Sequence, residues 1–447
     1  MRVLLDSEVH EIKADRILSD NLKELLKILA GIKAEVATRP ISSKEIEKND
    51  AFDFLVTENR DLHKEASLKN VSDKVLLVDE ALQIFDSYIN KDSKIAPPPL
   101  KSEPVSNLNY DDPIFDTLKE EYKPKFRDWF KKISDQGRKS WVYYRKDGHI
   151  GALLIHKIED ERIDDSNPPF PKKKRLKIST LKVTYVGHKI GELFIKMAVD
   201  ISIKNNIDEI YLTHFTKPND PLVELITEYG FTKVGVKNNG EEIFVKRLIV
   251  DQAEAKPLSP IDISKIFYPS FYDGDKVKKF IVPIVPKYHE KLFTDFPKRQ
   301  TTLPEYDYEF VVEGNTIKKA YLSHSKIKRI GPGDLILFYR SEDIQAITSI
   351  GVAESIYSGI EDSGQILQLV GKRTVFSHDE IEEWVRKSPV SIFLFRHHFH
   401  LDRPVGLKEL IEARLLKAAP ESAMEIPNEV YAEIKKLGGI DERFTIH

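Results

Sequence analysis

Apolar and polar positions along the chain follow two periods, and the places where the period changes divide it into three. Residues 1–95 open on the apolar run 3–5, continue as an amphipathic helix over 17–30, and return to short apolar runs at 54–57 and 75–78 among helical pieces. Strands alternating with helices predict a small α/β unit. Residues 110–250 predict a helix over 114–134, strands at 141–145, 150–156 and 176–184, a long helix over 190–205, a strand at 209–215, a helix over 220–229, and strands at 231–236 and 242–248. The helical crossovers imply parallel neighbours, so this part is again α/β. Residues 276–447 predict strands at 279–285, 318–323, 334–339, 346–357 and 391–396, with the turn 330–334 between two of them, which describes a small β-rich barrel edged by helices. Proline clusters at 96–104 and 257–260 mark the breaks. The expected domains are therefore 1–95, 110–250 and 276–447, joined by linkers 96–109 and 251–275.

A chain of 447 residues fits such a division. Lys and Arg number 69 against 72 Asp and Glu, a net charge of −3, so any basic binding face is local. The absence of cysteine excludes disulfides, Cys-ligated zinc, iron–sulfur clusters and thiol nucleophiles. No apolar run approaches the ~20 residues that span a bilayer, and acids interrupt the opening MRVLLDSEVHEIKADR, so a cytoplasmic chain without leader or membrane span is expected.

The junction of strand 176–184 with helix 190–205 carries the strongest chemical signal. A strand-to-helix turn of small residues presents free backbone N–H groups and a positive helix end to a pyrophosphate. Seven cations lie within 172–189 (Lys172, Lys173, Lys174, Arg175, Lys177, Lys182 and Lys189) and no acid does, which favours an anionic ligand. The alternative for Lys172 to Arg175 is a solvated loop. The turn reads Val186-Gly187-His188-Lys189-Ile190-Gly191, and further on Asn219, Leu222, Leu225, Ile226, Gly230 and Phe231 follow one another at fixed spacing.

In these two stretches the segment resembles the GNAT acetyltransferase superfamily. The first corresponds to Gln/Arg-x-x-Gly-x-Gly/Ala, of which Gly191 matches strictly, and the second to Asn-x-x-Ala-x-x-Leu-Tyr-x-x-x-Gly-Phe. The second departs by leucine for alanine at Leu222 and by Ile226 for the tyrosine that serves as general acid. The resemblance implies acetyl-CoA held by Gly187, His188, Lys189, Ile190, Gly191 and Asn219, with backbone groups near Lys182 and Val183 pairing to the pantetheine arm in the gap of a splayed strand pair. It implies acyl transfer to an amine, for which His214 or Glu192 is the candidate base.

In the first segment Asp6 ends the opening strand, and Glu58 and Asp61 follow the second. Carboxylates converging at strand ends suit Mg²⁺ or Mn²⁺. The stretch Asp53-Phe-Leu-Val-Thr-Glu58-Asn-Arg-Asp61 resembles PIN-domain ribonucleases, and that implies metal-dependent RNA cleavage by Asp6, Glu58 and Asp61, with Glu35 a fourth candidate. The segment is short for that family, and helix-capping surface acids are the alternative.

In the third segment Lys318, Lys319, Lys326, Lys328, Arg329 and Arg340 face one acid, Asp334, among Tyr321, Phe338 and Tyr339. Cations beside aromatic rings are the ingredients of single-stranded RNA binding. The run Lys326 to Tyr339, with Ile350-Gly-Val-Ala-Glu354 and Gly371-Lys-Arg373-Thr, resembles the PUA-like superfamily with its ASCH and EVE domains. That implies RNA recognition, with Arg373 a pocket residue. His397, His398 and His400 are expected to be structural, since neighbours on a strand face opposite sides.

The whole predicts a multidomain α/β protein: a small PIN-like unit, a GNAT unit and a PUA-like β-barrel with flanking helices. The expected function is acetyl-CoA-dependent N-acetylation of an RNA- or ribonucleoprotein-associated amine. A PIN-type, toxin-like ribonuclease and a non-catalytic RNA-binding protein are the alternatives.

Overall fold

The computed structural model describes residues 1–11, 16–47, 52–69, 71, 74–89, 100–145, 147–184, 189–296, 316–324, 329–370, 373, 375–376 and 378–447. It is a mixed α/β architecture with several sheets. In the N-terminal part β1 (Arg2–Asp6), α1 (Arg16–Gly31), β2 (Glu35–Arg39), α2 (Ser43–Glu47), β3 (Phe54–Val56), α3 (Arg60–Leu68), β4 (Val75–Leu76) and α4 (Val78–Ile89) alternate. The strands form one parallel sheet in the order β2-β1-β3-β4. Val3, Leu5 and Val56 pack with Leu25, Leu29 and Phe85, while Leu4 and Leu55 pack on the other face with Ile46, Leu62 and Ala66. Burial on both faces is why the runs 3–5 and 54–56 are continuously apolar.

The middle part comprises β5 (Lys101–Pro104), α5 (Asp116–Glu121), α6 (Phe126–Asp135), β6 (Lys139–Tyr144), β7 (Ile150–Ile163), β8 (Ser166–Asn167), β9 (Phe170–Val183), α7 (Ile190–Lys204), β10 (Glu209–His214), α8 (Pro221–Glu228), β11 (Thr232–Lys237) and β12 (Glu242–Arg247). Its eight-stranded sheet runs β5-β6-β7-β9-β10-β12-β11-β8. The helix expected over 114–134 is two helices, parted at a turn that contains Pro124, which has no N–H to donate. Residues 101–104, expected as linker, add the edge strand β5, preceded by the fully buried Leu100.

The C-terminal part comprises α9 (Gln252–Ala255), α10 (Pro260–Ile266), β13 (Phe271–Tyr272), β14 (Lys279–Ile284), α11 (Pro286–Leu292), β15 (Lys318–Ser323), β16 (Leu335–Arg340), β17 (Ala346–Ile360), α12 (Ser363–Val370), α13 (His378–Lys387), β18 (Val390–Gly406), α14 (Leu407–Glu412), β19 (Met424–Ile426), α15 (Asn428–Gly438) and β20 (Thr445–Ile446). The sheet order is β15-β18-β17-β16-β14-β19. Four register irregularities between β17 and β18 bend this long pair. The stretch 251–275, expected as linker, holds α9, α10 and β13, and β13 pairs with β20. Among the described residues no helix is long and apolar enough to cross a membrane.

Helix α7 joins the middle and C-terminal parts. Lys196 Nζ lies 2.5 Å from Asp295 and 3.3 Å from Asp200, and Asp295 also holds His400 Nε2 at 3.0 Å. One turn earlier, Glu192 Oε1 accepts the Lys318 N–H at 2.7 Å. His397 and His398 are buried, and His398 bonds Ser264 Oγ and the Pro269 carbonyl, each at 2.8 Å.

Lys246 on β12 is fully buried, and its Nζ reaches the Ile266 carbonyl at 3.3 Å. Burial, with Arg396 adding to it, pushes the amine down to about 7. The unfolded lysine titrates near ~10.4. Between those values the unfolded chain binds more protons, so this residue makes stability rise with pH from about 7 upward. Lys246→Met is expected to raise stability at pH 7 by on the order of 3 kcal/mol, and by less at pH 9. Denaturant titrations at the two pH values check this, and an equal gain at both contradicts it.

Candidate active site

The parallel strands β9 and β10 pair only from Leu176 to Ile178 against Ile210 to Leu212. Beyond that β9 continues to Val183 and β10 to His214 with no further register between them. The parting coincides with a bulge in β9. His156 on β7 faces Ile178 and Ile155 faces Thr180, so Ser179 is left without a partner. Bulges of this kind re-aim a strand and free its backbone.

The Thr184 N–H donates to the Gly151 carbonyl on β7 at 2.8 Å. Backbone direction alternates along a strand, so Leu181 and Val183 turn their N–H and C=O groups away from β7 and into the opening. A cleft of about 1620 Å³ occupies this space, lined by β9 from Lys177 to Thr184, by Lys189 to Glu192 at the start of α7, and by His214 and Asn219 to Asp220.

Helix α7 begins at Lys189, which stands in the left-handed region at φ 53° and makes no side-chain capping bond. Its first-turn amides and the positive end of the helix dipole lie at the cleft. Gly191 has a packing role as well, since a Cβ there would sit 2.6 Å from Leu225 on α8. Gly230 is likewise a close-approach position: at φ 84°, its Cβ would fall 2.0 Å from the Ile266 carbonyl oxygen. Ile226 is buried in the core. Gly187 and His188 lie outside the described residues.

His214 ends β10 with its Nε2 2.7 Å from Asp220 Oδ2, and its side chain is 19% exposed toward the cleft. Asp220 is the cap of α8 and takes the Leu222, Val223 and Lys217 amides at 3.0, 3.4 and 3.2 Å. Burial acts to raise its carboxyl, yet the His214 bond and charge together with these amides hold it below the usual range. An imidazole held through one nitrogen by a carboxylate keeps the other for a proton acceptor role. Glu192 differs: it is buried and bound to the Lys318 amide, which ties the first turn of α7 to β15. Asn219 is exposed at the cleft in a left-handed turn at φ 54°. Lys182 Nζ donates to the Ile114 carbonyl at 2.6 Å and to Thr117 Oγ1, fastening β9 to the start of α5.

On the opposite face of the sheet, which sequence reasoning did not single out, Glu241 accepts from Tyr122 Oη at 2.6 Å and Thr213 Oγ1 at 2.9 Å. These residues come from the end of β10, the turn before β12 and the turn after α5, far apart along the chain.

The other expected sites are not assembled as anticipated. Asp6 is buried and accepts from Thr57 Oγ1 at 2.6 Å, and Glu58 takes the Val78 amide at 2.9 Å, its carboxyl raised by burial. Asp61 is exposed on α3, and Glu35 pairs in register with Arg2 at the far end of β1 from Asp6. Among the described residues no group of three carboxylates or histidines is placed to hold a cation. Lys172 pairs with Asp160, Lys173 and Arg175 with Glu209, and Lys174 with the Asn205 carbonyl, so each cation of the run, which lies on β9, has an acceptor within the fold. Of the expected RNA-contacting cations, Lys318 pairs with Glu228, Lys319 is buried on the Leu292 carbonyl, and Arg373 pairs with Glu354. Arg329 is exposed, while Lys326 and Lys328 lie outside the described residues.

No family model and no curated relative matches the chain. Among solved structures, ASCH from Zymomonas mobilis is similar over 36% of this chain and 95% of that one, at 17% identity and a TM-score of 0.27. The NatC complex bound to Gag peptide and CoA is similar over 33% of this chain and 96% of that chain, at 17% identity and 0.23. Aminoglycoside 6′-acetyltransferase type Ii is similar over 31% of this chain and 86% of that chain, at 14% identity and 0.23. These likenesses are partial and low, and the cleft's own geometry carries the chemistry.

Because Asp220 both caps α8 and holds His214, Asp220→Ala is expected to cost about 1 kcal/mol or somewhat more of stability. His214→Gln should leave the cap, and therefore the melting temperature, within a degree or two of the parent. Thermal denaturation of both variants checks the assignment, and equal losses contradict it.

Proposed function

We propose that the chain is an N-acetyltransferase that moves the acetyl group of acetyl-CoA to an amine. The supporting observation is the parting of β9 and β10 beside the start of α7, because it leaves strand backbone unpaired inside a cleft. The amides and carbonyls of Leu181 and Val183 are complementary to an amide-bearing arm, and the first turn of α7 is complementary to a pyrophosphate.

Bound acetyl-CoA supplies a thioester whose carbonyl carbon accepts the amine. The chain's own groups then have separable roles. His214, held by Asp220, takes the amine proton as the N–C bond forms and the C–S bond breaks, the electron pair leaving with sulfur. With Ile226 apolar, the thiolate takes its proton from water.

Calorimetric titration of acetyl-CoA into the full chain tests the reading, beside Val183→Pro. That substitution removes one N–H that faces the cleft and leaves the ladder to β7 intact. Micromolar binding weakened roughly tenfold by Val183→Pro is expected, the cost of one hydrogen bond. Absence of binding by the parent chain overturns the proposal. With an acceptor in hand, His214→Gln should lower kcat about a hundredfold or more, and an unchanged kcat rules out His214 as the base.

A further inference from the structure

The cleft continues through the sheet to the face opposite α7, and there it is lined by cations from three neighbouring strands. Lys157 on β7 stands in register with Lys177 on β9, and Lys177 with Tyr211 on β10. Arg138, immediately before β6, extends the same rung, since Ser140 pairs with Ile155 two residues on. Lys237 on β11 faces Lys177 from the far side. The carboxylates around them are Glu159, bound to Tyr211 Oη and Lys157, Glu161, 3.8 Å from Lys157, Asp165, 2.9 Å from Lys237, and Glu241, bound to Tyr122 and Thr213. Lys157 and Lys237 are thus ion-paired, whereas Arg138 and Lys177 have no carboxylate in direct contact among the described residues.

The balance differs from that of the lysine run at 172–175, where each side chain finds an acceptor at close range. Lys177 lies mostly buried over the Tyr211 ring at 5.4 Å, with no carboxylate among the described residues in direct contact. Arg138 bonds Gln136 through one nitrogen at 2.8 Å and is half-buried at the cleft. Burial depresses both groups and outweighs the opposing pull of Glu159 on each and of Glu241 on Lys177. His156, with Nδ1 buried and unbonded, lies close enough to Arg138 to feel its charge. An arrangement that costs free energy in the unliganded chain and opens on a cleft is suited to an anion that arrives with the ligand.

We propose that the acceptor is a primary amine that carries an anionic group, a phosphomonoester or a carboxylate, seated on Arg138 and Lys177 while its amine points toward the parting of β9 and β10. This rests on the transferase reading for the role of the amine, but the anion subsite stands on its own geometry. Trp129 and Tyr122, from α6 and the turn before it, form the apolar wall on this side.

The test uses three small primary amines of like size: O-phosphoethanolamine, β-alanine and ethanolamine, ending in phosphate, carboxylate and hydroxyl. Each is titrated by calorimetry into the full chain, alone and with saturating CoA. One or both anionic amines are expected to bind at least tenfold more tightly than ethanolamine, and comparison of the two identifies the anion. Lys177→Met and Arg138→Met should abolish that preference, whereas Lys177→Arg should retain it; melting curves report whether each variant folds. Equal binding of the three amines, or no binding of any, overturns the proposal. Failure of CoA to bind while phosphoethanolamine still does sinks the transferase reading and leaves the anion subsite.

Discussion

The site depends on one constraint: a strand that loses its neighbour must find other partners for its backbone. Beyond Ile178 β9 returns to its register with β7 on one side and has nothing in register on the other. Unpaired buried amides and carbonyls are costly, and native structures satisfy them with side chains, water or ligand. The bulge at Ser179 opens the gap, and packing on either side keeps it open. Leu181 and Val183 pack into the core beside α7, and Lys182 is bonded to the α5 region. The two strands cannot close on each other without breaking these contacts, so the cleft is preorganised.

The position of α7 is set by a second set of interactions. Its apolar residues Leu193, Phe194, Met197 and Ala198 belong to the same core as the sheet. Lys196 instead points to Asp295 and Asp200, and Asp295 to His400 on β18. A buried ion pair contributes little net stability relative to an apolar pair of the same shape, but losing one partner leaves a charge stranded and costs about 3–5 kcal/mol. The seam therefore acts as a register device. It fixes which turn of α7 meets the C-terminal sheet, and with it the direction in which the first turn faces the cleft. Glu192 completes the device, which is why a carboxylate in the first turn of α7 serves the fold.

Much of this architecture was legible from periodicity. The β–α–β–α–β–β order between 170 and 247 follows from continuous apolar runs and amphipathic helices, β15 spans the expected 318–323, and β18 contains the expected 391–396 but runs on to Gly406. What could not be read was what long-range pairing decides. The helix expected over 114–134 breaks at Pro124, and the proline-rich 96–109 contributes an edge strand because β6 offers it a ladder. The lysine run looked like a loop because its neutralising partners, Asp160 and Glu209, are remote in sequence.

The same reason separates the candidate site into a visible and an invisible half. Short-range motifs marked the turn before α7 and the stretch from Asn219 to Phe231, and in the latter the structure attributes the glycine and phenylalanine to packing against α10 and the core. His214 was visible as a strand-end histidine, but Asp220 gains meaning only when the turn folds back to place it 2.7 Å away. Charge density along the chain was a poor guide in both directions. Six clustered cations at 318–340 include three that are held by Glu228, the Leu292 carbonyl and the carboxylates of Glu290 and Asp343. Arg138, Lys157 and Lys177, far apart along the chain, form a single rung. Whether a cation is available to a ligand is decided by which acid the sheet register sets opposite it, and that information resides in pairing, not in local sequence.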